Sequence, residues 1–500
     1  MAVYLIGIDI GTSSTKTTIF DENGRVVGCS SKGYVFESRK NGYAEQDPDT
    51  WWDAAVVSIR QALTESGIDA SAVAGVGFSG QMHGLVCVDR DGKPLRKAIL
   101  HCDVRARDEA DEIQRLFGGE IEKIVCNPIF PGFQLTSLEW LKRHERASYD
   151  RIERIMCPKD YVRYRLTGEF GTEHTDASGT LLYDNRNECW SDEIFDRLGI
   201  DRSIVAERIG QAYELAGCVT RTAAEATGLR EGTPVVYGGA DQAMQSLGNG
   251  VYAPGITMMT IGTSGQVLVI TREPLCRPKL NTHIFRHVEP GTWYGLGAVL
   301  FAGSTLSWFR RNFAPECSFE DLSAMVEQVP AGSDGLVFLP CMGGERTPYL
   351  DPLARGVFDG ITMHHNRAHF ARAIMEGVSF AMKAALEELR DTFGRGDHII
   401  CAGGGVKGDA WAQIQADVYG QEVLVSSIKE QACLGAAICA GVGSGRFSGV
   451  LEGCAAMCDT DMKRIAPRTE ISKKYEQIYS QIYSRVYSSN AALFREIASI

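Results

Sequence analysis

Ile10-Gly11-Thr12-Ser13 and Ile261-Gly262-Thr263-Ser264 repeat one phrase half a chain apart, each directly after a short apolar run that reads as a strand. Glycine followed by small hydroxyl residues makes a tight turn in which backbone N–H groups and side-chain hydroxyls converge on an anion. Two such turns predict two copies of a phosphate-gripping hairpin, able to close on one nucleotide triphosphate.

The sequence around both copies follows one grammar. Tyr4 to Asp9 and Thr17 to Asp21 read as a hairpin joined by Ile10 to Lys16, with a third strand from Arg25 to Cys29. A helix follows with Asp47 as N-cap and Pro48 at N1; it ends at Gly67, before the strand Val73 to Phe78. In the second half, Gly255 to Ile261 and Gln266 to Ile270 form the hairpin, Trp293 to Leu296 adds a strand and Ser304 to Phe313 a helix. Asn366 caps a long helical stretch leading to the strand His398 to Ala402, then come a helix to Tyr419, the strand Glu422 to Val425 and an Ala/Gly-rich helix from about Glu430. Gly248-Asn249-Gly250 is a breaker cluster, giving two α/β domains, 1–247 and 248–500, with a ligand cleft between them.

Composition agrees with that division. A chain of 500 residues, 44% of them hydrophobic, is too long for one core and too apolar for disorder. A net charge of −12 without a basic block makes nucleic acid an unexpected partner, and no apolar run is long enough for a membrane span. Met1 to Asp9 does not read as a signal peptide, and the fifteen scattered cysteines contain no C-x-x-C pair, so thiols in a reducing cytoplasm are the simplest reading.

Several turns carry candidate chemistry. Asp9 precedes the first phosphate-type turn; it either caps the hairpin or holds Mg²⁺ beside a phosphate that it would otherwise repel. Gly238-Gly239-Ala240-Asp241-Gln242 follows the strand Pro234 to Tyr237, so Asp241 stands at a strand end as a proton acceptor for a hydroxyl, or as a helix N-cap. Gly80-Gln81-Met82-His83-Gly84 offers an amide and an imidazole to sugar hydroxyls, although a lone histidine is as readily structural. His101, Asp103 and Arg105 form another polar cluster in which Arg105 could simply pair with Asp103. Gly403-Gly404-Gly405-Val406-Lys407 is a strand-to-helix loop, either an ordinary turn or a seat for a nucleotide.

Taken together, Gly7-Ile-Asp9-Ile-Gly11-Thr12-Ser13, Gly80-Gln-Met-His-Gly84, Asp103-Val-Arg105, Pro158-Lys-Asp-Tyr161, Gly239-Ala-Asp241, Gly262-Thr-Ser-Gly265, Gly344-Glu-Arg-Thr-Pro348 and Gly403-Gly-Gly405 resemble, in content and order, the FGGY family of carbohydrate kinases. The resemblance implies two ribonuclease-H-like (actin-like ATPase) domains with an interdomain active-site cleft, sugar held mainly by the first domain and ATP by the second. It implies Asp241 as general base, Asp9 and Asp241 as the Mg²⁺ carboxylates, and Gln81, Met82, His83, Asp103 and Gln242 around the sugar. The nucleotide side comprises Thr12, Ser13, Lys16, Gly262, Thr263, Gly303, Gly403, Gly404, Gly405 and Lys407. The substrate implied is a ketopentose, D-xylulose first, in a cytoplasmic enzyme for which a homodimer is the assembly to test. Within the branch that phosphorylates D-xylulose, His101-Cys102 replaces the common Trp-Asn, and Gln242 the common Asn. Another ketose, a polyol or an autoinducer-2-like hydroxyketone is the alternative acceptor, and an actin- or chaperone-like ATPase switch the alternative class.

Overall fold

The structure, a computed structural model, describes residues 3–275, 281–458 and 462–499. Its first sheet begins with β1 (Tyr4–Ile10), β2 (Ser14–Asp21) and β3 (Val26–Gly33), an antiparallel meander. Helix α1 (Pro48–Ser66) follows; the Asp47 carboxylate accepts the Asp49 N–H, Pro48 opens the first turn, and Gly67 closes the helix in the left-handed region. Its apolar stripe covers the meander and brings β4 (Val73–Gly80) back parallel to β1. Much later come β5 (Leu215–Cys218), β6 (Pro234–Val236) and the two-residue β7 (Gly239–Ala240), with β6 and β7 both parallel to β4.

After α2 (Asp241–Gly248) the pattern starts again: β8 (Ile256–Ile261), β9 (Gly265–Thr271), β10 (His283–Arg286), β11 (Trp293–Val299), α3 (Gly303–Phe313), α4 (Arg367–Phe393), β12 (His398–Gly403), α5 (Asp409–Tyr419) and β13 (Val423–Val425). In space the first sheet contains the order β3-β2-β1-β4-β6 and the second β11-β9-β8-β12-β13. Both runs pair antiparallel, antiparallel, parallel, parallel. The doubled phrase is therefore the visible end of a doubled sheet.

The last helix of this series, α6 (Gln431–Gly443), does not stay with the second sheet. It is apolar around its circumference and buried along most of its length, as a helix must be when protein covers every side. It lies between α2 and the strands β1 and β4 of the first sheet. Backbone contact there leaves no space for side chains: a Cβ on Gly7 would overlap the carbonyl of Cys433, and one on Gly77 that of Ala436. The chain thus leaves the first sheet through α2 and returns to it through α6.

The tyrosine-rich stretch after Ser472 packs on α4. Its helices α7 (Thr469–Ile478) and α8 (Ser484–Ile497) and the π-helical turn between them, Tyr479–Tyr483, bury Tyr475 and Tyr483, and the Tyr475 hydroxyl joins the Arg372–Glu376 ion pair on α4. No helix among the described residues is long and apolar enough to cross a membrane. Most described cysteines are free thiols, but Cys126 is disulfide-bonded, which corrects the reading of all fifteen as thiols.

Candidate active site

The parallel strands align their carboxyl ends at one crevice. Asp9 on β1 lies in register with Ser79 on β4, and Ser79 with Gly239 on β7. Asp9, the turn after Gly80 and Asp241 therefore emerge side by side, at the edge where α/β sheets bind ligands. The Ser79 hydroxyl donates to Asp9 Oδ1 at 2.7 Å. Burial nevertheless pushes the Asp9 carboxyl above its usual range, against that hydrogen bond and the Lys16 charge. Asp241 opens α2, and its Oδ1 accepts the Gln242 N–H at 2.7 Å. Burial first, and the Asp9 charge second, raise Asp241 to about 7. The two carboxylates thus feel each other across the crevice.

Beside Asp241 the side chains become aromatic and imidazole. Met82 is buried, and its sulfur receives the Tyr294 hydroxyl at 3.6 Å. His83 sits in the left-handed region at φ 68° and meets the Gly179 carbonyl through Nδ1 at 2.7 Å. A carbonyl can only accept, so Nδ1 carries the proton and Nε2 keeps a lone pair for a hydroxyl. Burial lowers His83 to about 3, which keeps the ring neutral. Phe133 and Phe285 pack tilted against it, with ring centroids at 4.0 and 5.5 Å, and Phe285 stacks in turn on His283 at 5.7 Å. The Nδ1 of His101 and the Oε1 of Gln242 are buried without a hydrogen-bond partner. Arg346 reaches this group from the second half, 6.0 Å from the Phe130 ring, and its charge helps to depress His83, His101 and His283. Its side chain makes no ion pair or hydrogen bond among the described residues.

Across the crevice a cavity of about 1010 Å³ opens between the second sheet and its helices. Gly262, Thr263, Gly303, Gly404, Gly405 and Lys407 line it, with Trp308, Phe319, Met375 and Trp411 among its apolar walls. The Gly303 N–H donates to the Gly262 carbonyl at 2.8 Å, and Ser304 donates to the Thr263 carbonyl, so the N-terminus of α3 is tied to the second turn. Turn and helix start are thus fastened together through backbone hydrogen bonds and form one wall of the cavity, with Thr263 on its lining. Gly403 ends β12 just behind it.

Further expected site residues are tied to partners within the chain or face solvent. Asp103 is buried, with its oxygens taken by the Arg105 guanidinium and the Ala44 N–H. Gln81 is buried and turned toward the first hairpin turn, where Nε2 meets the Gly11 carbonyl and Oε1 the Thr12 hydroxyl. Lys16 pairs with Glu430 at 2.8 Å, just before α6. Ser13 is exposed at the tip of its turn.

A chain with this doubled sheet and crevice matches the model of the FGGY carbohydrate-kinase N-terminal domain over residues 4–248, and that of the C-terminal domain over 257–444. The chain belongs to the FGGY family of carbohydrate kinases. This FGGY kinase is 38% identical to a xylulose kinase of Bacillus subtilis over 95% of each chain. It superposes on a ligand-bound xylulose kinase from Lactobacillus acidophilus with a TM-score of 0.92 at 26% identity, covering 99% of each. A gluconate kinase from the same organism superposes equally well, TM-score 0.92 at 27% identity, over 99% and 100%. The two-domain actin-like fold and the ATP-dependent sugar-kinase class read from the sequence are therefore sound.

Sequence reasoning missed Tyr294, His283 and Phe285 and the apolar wall of the large cavity, and it held Arg346 only as part of Gly344-Glu-Arg-Thr-Pro348, without a role. One signal was available: His283-Ile-Phe-Arg-His287 alternates ring and non-ring residues with the period of a strand, which sets His283, Phe285 and His287 on one face.

Proposed function

We propose that this kinase transfers the γ-phosphate of ATP to the terminal hydroxyl of D-xylulose, with Asp241 as general base. The observation that carries the assignment of the base is the Asp241 carboxyl itself, at a strand end beside Met82 and His83 and raised to about 7. A base with that affinity takes a hydroxyl proton near neutral pH yet is ionised often enough to act. The neutral His83, with Nε2 free to accept, and the unpartnered Gln242 and His101 atoms supply sugar-hydroxyl contacts. The substrate rests on the identity to the Bacillus subtilis enzyme over nearly the whole chain, since fold similarity to xylulose and gluconate kinases is equal.

Asp9 and Asp241, close enough for one charge to raise the other, fit a hard divalent cation with oxygen ligands. When bound, Mg²⁺ would neutralise phosphate charge. The chain's own contribution is positioning: the two Gly-Thr turns offer backbone N–H groups to phosphates, the apolar cavity seats the base and ribose, and the halves exclude water from the acceptor.

A second reading has one specific observation behind it. Arg346 is a cation beside the acceptor pocket whose side chain makes no ion pair or hydrogen bond among the described residues, which suits a sugar acid. ADP release with Mg-ATP over D-xylulose, L-xylulose, D-ribulose, L-ribulose, glycerol, erythritol, an autoinducer-2 precursor and D-gluconate separates the readings. Selective turnover of D-xylulose is expected. Selective turnover of D-gluconate, abolished in Arg346→Gln, replaces the substrate, and equal ADP release without acceptor removes the sugar-kinase assignment.

A further inference from the structure

His364-His365-Asn366-Arg367-Ala368-His369 stands at the start of α4, and none of it takes part in the reaction cleft. The loop Ser333–Gly335 lies against it. His369 Nε2 is 3.2 Å and His364 Nε2 3.6 Å from the same oxygen, Asp334 Oδ2. One ligand atom from each of the three residues lies within 4.8 Å of the others. We propose that Asp334, His364 and His369 bind a late first-row divalent cation, Zn²⁺ or a close relative, separately from the sugar and nucleotide sites.

The distances favour that class of ion. Zinc–ligand bonds near 2.0–2.2 Å at a tetrahedral angle put neighbouring ligand atoms about 3.3 Å apart. The two separations to Asp334 bracket that value. Two imidazoles and one carboxylate suit borderline metals rather than Mg²⁺, and three ligands leave a fourth position for water.

His369 is also built to change tautomer. Its Nδ1 is 3.3 Å from the Asn366 N–H and 3.0 Å from Asn366 Oδ1. Without a cation, Nδ1 accepts from the Asn366 N–H and Nε2–H donates to Asp334. With a cation, Nδ1–H donates to Asn366 Oδ1 and Nε2 turns its lone pair to the metal. Such a second partner for a ligating ring fixes its orientation and its basicity. His364 is mostly exposed and free to swing inward, with a side-chain exposure of 73%. Arg367, the cation within this stretch, is engaged by Glu316. His365 supports the loop instead: its Nδ1 accepts the Thr362 N–H, and its Nε2 faces the Asp334 carbonyl at 3.2 Å.

The test uses tag-free, chelator-stripped, full-length protein titrated with Co²⁺ in saturating Mg²⁺, which occupies the carboxylates of the cleft. Visible Co²⁺ absorption saturating at about one equivalent per chain and displaced by Zn²⁺ is expected. His364→Ala and Asp334→Asn should each weaken binding by about 10-fold or more, with sugar-kinase turnover unchanged. His364→Ala guards against misfolding, because that side chain is exposed. No uptake by wild type at about 100 μM Co²⁺, uptake abolished by Mg²⁺, or unchanged affinity in both variants would overturn the site.

Discussion

Asp241 holds its proton near neutral pH because burial and the Asp9 charge both disfavour the carboxylate. A base in that state sets a measurable limit: kcat/KM for the acceptor should fall tenfold per pH unit below about 7. His83 and His101, lowered by burial to about 3 and 4, titrate too low to produce that limb. A limb that persists in Asp241→Asn at the same pH would assign it elsewhere. That variant should lose about 10²–10⁴ in kcat while keeping its ATP affinity in equilibrium binding. The same carboxyl affects stability. Its folded affinity for protons exceeds the unfolded one, so its stabilising contribution is complete at low pH and is lost as pH rises toward 7. Wild type should therefore lose stability relative to Asp241→Asn between about pH 4 and 7, read as the change in the difference of their urea midpoints.

At the scale of elements, β4 and α6 pack backbone to backbone, where Gly77 meets the Ala436 carbonyl. Gly77→Val should cost about 3 kcal/mol in denaturant unfolding, since the backbone it meets cannot retreat without moving α6. An unchanged midpoint would mean that the helix shifts freely. Most elements were legible before the structure: both hairpins, α1 with its Asp47 cap and Gly67 stop, and the strand-to-helix turns carry local turn or cap chemistry. The places of Asp9, Asp241, Met82 and His83 at the crevice were legible for the same reason, because strand ends face it. What the sequence does not encode locally is the direction of a polar side chain. Gln81 and Asp103 sit in motifs of the right composition, yet they face the first turn and Arg105. Arg346 and Tyr294 reach the pocket only through tertiary folding, without a spacing that links them to His83.

For the whole molecule, the group around Asp241 draws Met82 and His83 from the first half and Phe285, Tyr294 and Arg346 from the second, and the large cavity lies on the second sheet. Acceptor binding should therefore draw the halves together, and D-xylulose with a non-hydrolysable ATP analogue should lower the radius of gyration in solution scattering. A scattering curve identical to that of the free protein would indicate a cleft already closed. The return of α6 has a further consequence, for synthesis on the ribosome. The first sheet is complete in sequence at Gly248, but the helix covering it begins at Gln431. At 5–20 residues per second, that interval leaves the inner face of β1 and β4 bare for roughly 10 to 40 s. The nascent chain thus meets chaperones and proteases with its oldest sheet unfinished, and any messenger truncated before α6 yields a product that cannot bury it.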